Sequence, residues 1–201
     1  MDLQFIMRHL FCGYLPAAAL LGLYLILLQA LERRQGVVRT CTLFLFCLYL
    51  VGILVMTGIC IRGSWTPQIV WIPFRDMVSG PVDTVLNVLL FIPLGFFLPF
   101  LYGRYERIRM TAAAGFLIAL TVEAVQMFGY GASDINDLIT NTAGTCMGFF
   151  IYKRFAGIAP EKWIRQARME KDLPYPEPAV LWAGAVLVML TVQVSIFHAL
   201  F

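Results

Sequence analysis

The chain has little charge, little histidine and no paired-cysteine motif. Only 13% of its 201 residues are Asp, Glu, Lys or Arg, about half the fraction carried by soluble domains. So sparse a charge cannot solvate the surface of a water-soluble protein of this size. His9 and His198 stand near opposite ends of the chain and outside any ligand spacing, so neither a zinc site nor a histidine acid–base centre has a motif to rest on. The five cysteines (Cys12, Cys41, Cys47, Cys60 and Cys146) all fall in apolar runs without CxxC spacing and read as small buried hydrophobes. A formal net charge of +3 marks no basic surface of the kind nucleic acid requires, and no nucleic-acid partner is expected. The first apolar run, Leu10 to Leu31, ends in "ERRQ" with no small-x-small cleavage signal, so it reads as a retained span.

What the chain has in abundance is apolar sequence: 60% hydrophobic residues, sixteen Phe and a mean hydropathy of +0.80. Runs near twenty residues match a hydrocarbon core of about 30 Å. They do not alternate in polarity, which excludes barrel strands. Six spans are expected, over residues 11–31, 41–61, 83–102, 110–128, 138–155 and 179–200. Pro16, Pro93 and Pro99 fall inside them, where neighbouring helices can satisfy the freed carbonyls. The expected fold is an all-α integral membrane protein, a bundle of about six transmembrane helices forming one polytopic domain over residues 1–201.

Basic residues set the orientation. Arg33, Arg34 and Arg39 flank the first connection, and Arg104, Arg107 and Arg109 the third. Lys153, Arg154, Lys162, Arg165, Arg168 and Lys171 follow span five. Twelve of the fifteen cations thus share one side, and only Arg8, Arg62 and Arg75 take the other. The positive-inside rule makes the first side cytoplasmic and both termini external. Residues 156–178 then form a cytoplasmic basic segment, with a short interfacial helix expected from Pro160 to Lys171 and ended by Pro174, Pro176 and Pro178. It reads either as a contact to anionic headgroups or as a solvated flank.

This orientation gathers the intramembrane polar residues. Asp83 and Asn87 open span three, Glu123 and Gln126 close span four, and Asp137 and Asn141 open span five. Each pair is spaced i,i+3 or i,i+4, on one helical face, and all lie toward the external side. Facing lipid would cost about 2–3 kcal/mol per ionised carboxylate. The faces should therefore turn inward, around a polar pocket open to the outside. "DTVLNVLLFIPLGFF" and "DLITNTAGTCMGFF" also echo one another: Asp, three residues, Asn, then Gly-Phe-Phe. Duplication and coincidence are both open at this level. Gly95, Gly144 and Gly148 suit close helix contact.

"WIPFRDM", "NVLLFIPLGFFLP", "VEAVQ" and "DINDLITNTAG" resemble, in order and spacing, the VanZ-like family of membrane proteins carried with glycopeptide-resistance genes. The resemblance covers residues 71–151, spans three to five. Its pattern falls on Pro73, Phe74, Asn87, Phe91, Pro93, Gly95, Glu123, Gln126, Asp134, Asp137, Asn141 and Gly144. Many members carry an arginine before the acidic element, where this chain has "GYGAS"; a cation there would have to come from Arg75 or Arg62. The resemblance implies a multi-pass protein of the bacterial cytoplasmic membrane that lowers susceptibility to teicoplanin-type lipoglycopeptides.

Three readings of action stand side by side. In the first, Asn87, Glu123, Gln126, Asp134, Asp137, Asn141 and Arg75 bind an envelope lipid or a lipid-linked precursor. In the second, the chain is an intramembrane enzyme with Glu123, Asp137 and Asp83 as its acids, acting on a headgroup by proton transfer or through an oxygen-bound divalent cation. The third is an envelope scaffold. Glu123 reads as a buried acid of the site or as a structural carboxyl bonded to Gln126 or Asn141. Asp83 and Asp137 read also as helix-starting residues, and Asn87 and Asn141 as interhelical glue. No resident cofactor or metal is expected under the first reading.

Overall fold

The computed structural model describes residues 2–33, 35–59, 69–70, 81–127, 133–168 and 176–200. Arg62, Pro73, Phe74 and Arg75 lie outside them. The helices are α1 (Leu3–Ala30), α2 (Val37–Met56), α3 (Pro81–Leu101), α4 (Ile108–Gln126), α5 (Ile135–Ile158), α6 (Glu161–Ala167), α7 (Glu177–Leu190) and α8 (Val192–Leu200). A 3-10 turn, Gly103–Glu106, joins α3 to α4. Two-residue strands β1 (Ile69–Val70) and β2 (Ser133–Asp134) pair in parallel, Ile69 with Ser133 and Val70 with Asp134.

The all-α membrane architecture is as expected. Helices α1, α2, α3 and α4 are each long and apolar enough to cross a membrane, and α7 with α8 makes a fifth crossing if the pair is one span. Their outer faces carry Leu20, Leu23, Leu27, Leu45, Leu86, Leu89, Leu117 and Leu187, all exposed, a surface that water rejects and acyl chains accept. The remaining expected span is α5. Its 24 residues would reach about 36 Å, but its first half carries Asn136, Asp137, Thr140, Asn141, Thr142 and Thr145. The expected sixth span is not continuous: α7 and α8 meet at Thr191 with a 41° bend. The Thr191 hydroxyl donates to the Leu187 carbonyl at 2.6 Å, as does its amide at 3.1 Å. Such back-bonding bends helices.

The chain divides into two compact units, one of residues 1–60 and 169–201 and one of residues 61–168. In the first, Cys12, Leu21, Leu28, Leu43, Phe46, Leu50, Leu54, Val188 and Met189 are buried. Gly13 of α1 brings the backbone against Met189 Sδ and Val51. Of the cysteines described, Cys12 and Cys47 are buried and Cys146 half-buried, but Cys41 is exposed, against the expectation that all are buried.

Arg39, expected as a solvated cation of the first connection, sits inside α2 at 1% exposure and pairs with Glu177 at 2%. The Tyr24 hydroxyl donates to Glu177 Oε1 at 2.7 Å, and Arg39 Nε donates to Gln35 Oε1 at 2.7 Å. The acid that neutralises Arg39 comes from the start of α7, 138 positions away, so nothing near Arg39 in sequence signals its burial.

The second unit is built on α3 and α5. A Cβ on Gly144 would meet the Val88 carbonyl, one on Gly148 the Ile92 carbonyl and one on Gly95 the Thr145 carbonyl. Four residues along α5 thus match four residues along α3, so the two helices run in the same direction. The echoed Gly-Phe-Phe segments lie against each other, with a Cβ at Gly148 only 3.0 Å from Gly95 Cα. Gly115 of α4 packs on the Thr145 side chain, which makes α4 the third member.

Candidate polar site at one end of the second unit

The N-terminal ends of α3 and α5 and the C-terminal end of α4 meet at one end of this unit. Asn87 lies about 9 Å along α3 from its first residue. Its Nδ2 donates to Asp137 Oδ1, in the first turn of α5, at 2.6 Å. Glu123, in the last turn of α4, is 5% exposed, and its Oε2 accepts the backbone amide of Asp134 at 2.8 Å. Asp134 Oδ1 in turn accepts the Asn136 amide at 2.8 Å and caps α5. The capping role weighed for Asp137 thus falls to Asp134. The Asp137 carboxylate is left to face α3.

Asp134 joins the elements together. Its backbone pairs with β1, its amide bonds to α4 and its carboxylate starts α5. Burying a carboxylate is tolerable where it accepts hydrogen bonds, and Glu123 accepts one from a backbone N–H. Asn141, one turn beyond Asp137, is 2% exposed, and its Oδ1 has no hydrogen-bond partner among the described residues. Gln126 is half-buried.

Asp83 departs from the expected inward placement: it is exposed on the first turn of α3. It still lies within electrostatic range of Asp137, as does Asp134. The reason is geometric, since a residue in the first turn extends past the point where α3 and α5 begin to touch. Arg75, the expected cation of the site, falls outside the described residues.

Among the described residues, Asp83, Asp134 and Asp137 have no ion-pair partner. This end therefore carries, among the described residues, carboxylates without cations, beside the amides of Asn87, Gln126 and Asn141. No three His, Cys, Asp or Glu side chains among the described residues gather closely enough to hold a metal ion.

The opposite end is organised by Arg168, which the sequence presents only as one cation of a basic flank. Its Nη2 donates to the Pro99 carbonyl at 2.6 Å, to Tyr152 Oη at 2.7 Å and to Glu106 Oε1 at 2.8 Å. Tyr152 Oη donates to Glu106 Oε1 at 3.0 Å. The guanidinium caps a last-turn carbonyl of α3, where the helix dipole favours a cation, and so fastens the end of α6 to the core. Partial burial pushes the Glu106 carboxyl upward, but hydrogen bonds from Arg168 and Tyr152 and the charges of Arg168 and Lys153 outweigh it and hold the group below its ordinary value. Helix α6 spans Glu161–Ala167, shorter than the Pro160–Lys171 expected, and residues 169–175 lie outside the described set.

Comparison with known proteins places these features. The sequence profile of a family described as VanZ/LLP1 matches residues 42–156. The match begins within α2, earlier than the 71–151 resemblance. The chain is 29% identical over 120 residues to Protein VanZ of Enterococcus faecium, across 58% of this chain and 61% of that protein. The chain thus spans less than two thirds of that relative's length. No solved structure matches it.

Proposed function

The chain belongs to the VanZ-like family, and from that premise we propose that it lowers susceptibility to teicoplanin-type lipoglycopeptides. In this reading it crosses the bacterial cytoplasmic membrane several times. Its acidic, amide-lined end faces outward and engages an envelope lipid or lipid-linked precursor. The observation that carries the reading is the joining of three helices through their polar side chains, by the Asn87–Asp137 bond and the Glu123–Asp134 bond. Polar groups held together at a helix end, where lipid would reject them singly, are the usual mark of a membrane site. The acidity suits a ligand that presents an amine, a hydroxyl or an amide.

Glu123→Gln tests it. Glutamine keeps an oxygen to accept the Asp134 amide while it removes the charge and turns the other oxygen into a donor. A susceptible host expressing the variant should show normal protein levels and lose teicoplanin protection, and Asp137→Asn should behave alike. Unchanged protection in Glu123→Gln, Asp83→Asn and Asp137→Asn together would reject the site and leave a scaffold role.

A further inference from the structure

The first unit carries a polar concavity at the end where α1 gives way to α2. It is about 670 Å³, open at the surface, and lined by Leu25, Ile26, Gln29, Glu32, Gln35 and Thr40. That volume falls in the range of small-molecule sites.

Its polar wall is held rigidly. Gln35 is fixed on both sides of its amide, its Oε1 accepting from Arg39 and its Nε2 donating to the Arg33 carbonyl at 3.0 Å. Behind it stands the buried Arg39–Glu177 pair with Tyr24. Glu32 has a φ of 60°, a left-handed conformation that costs a residue with a side chain about 1 kcal/mol or more. Gln29 and Thr40 line the same cavity. Among the described residues the Glu32 carboxylate has no ion-pair partner. Arg33, next in the chain, has a buried Nη1 without a hydrogen-bond partner among the described residues.

The surroundings are apolar. Ile26, Leu27, Leu31 and Val37 are all exposed around this end of the unit. A polar concavity bounded by side chains that lipid would cover accepts an amphiphile, head in the cavity and chains along the rim. A carboxylate, an amide and a hydroxyl lining one cavity accept hydrogen bonds from an ammonium.

We propose that this cavity binds the headgroup of an aminophospholipid, its ammonium against Glu32, Gln29 and Thr40. The site lies in a different unit from the acidic end, and Arg33 and Arg34 beside it in sequence put it on the cytoplasmic side by the positive-inside rule.

Purified full-length protein in detergent, titrated with short-chain phosphatidylethanolamine and followed by native mass spectrometry, tests this. The lipid should bind saturably, and Glu32→Gln should weaken it roughly tenfold, as loss of a charge-assisted hydrogen bond does. Glu32→Gly should weaken it equally while the melting temperature holds or rises, because glycine relaxes the positive φ. A purely structural role for Glu32 would not produce that split. Equal affinity for phosphatidylglycerol, or unchanged binding in Glu32→Gln, would overturn the proposal. Competition by free ethanolamine at the concentration of the lipid would assign the cavity to a soluble amine and overturn the lipid assignment.

Discussion

Gly148→Ala should lower the melting temperature of the purified protein by about 6–12 °C, for a cost of roughly 3 kcal/mol. The added Cβ would run into the Ile92 carbonyl oxygen and lie 2.9 Å from its carbon and 3.0 Å from Gly95 Cα. These are backbone atoms of α3 and cannot rotate aside, so the helices must part along the whole seam. Gly144→Ala and Gly95→Ala meet the Val88 and Thr145 carbonyls in the same way. Gly22→Ala in α1 is the control: nothing stands within 4 Å of its Cβ, and alanine in an open helical position is neutral or stabilises by about 0.5–1 kcal/mol. Thermal melts of the four variants in one detergent give the comparison. An unshifted melt for Gly148→Ala would mean that α3 and α5 are not packed backbone to backbone.

Arg39→Met should cost about 3–5 kcal/mol, because it leaves Glu177 buried without its cation. The Tyr24 bond at 2.7 Å is too little compensation for a carboxylate 2% exposed. Adding Glu177→Met should recover most of the loss, since two apolar side chains of similar volume restore packing without a charge to desolvate. The double-mutant cycle, read from the same melts, should therefore show a large favourable coupling. If the single variants cost less than about 1 kcal/mol, the figure typical of exposed pairs, the pair is solvated and the core of the first unit is wrongly described.

These two results mark what was and was not legible in the sequence. Helices α1 to α4 follow directly from apolar length. Gly95, Gly144 and Gly148 marked faces suited to close contact, but that these faces of α3 and α5 meet each other was not legible. The polar end could be placed from i,i+4 spacing and the direction of each span. Its actual bonds could not. Glu123 binds a backbone N–H, and a main-chain partner leaves no mark in residue identities. Asp83 was expected inward, but periodicity gives a face, not the depth at which two helices begin to touch.

Burial of Arg39 was illegible for a related reason. A cation near a connection reads as a flank charge, and its acid is 138 residues distant. Arg168, which ties α3, α5 and the 3-10 turn together, was hidden in the same way among flank cations. The break at Thr191 lies in a run otherwise apolar up to Leu190, where one threonine carries no warning of a bend.

The central claim is that the acidic end of the second unit faces the outside of the cell. Single cysteines at Asp83, exposed at that end, and at Arg104, exposed at the other, test it in a background in which all five native cysteines are changed to serine or alanine. Intact cells are treated with a membrane-impermeant thiol reagent. The account predicts modification at position 83 and none at position 104 until the cells are opened. Modification at 104 with protection at 83 would contradict it.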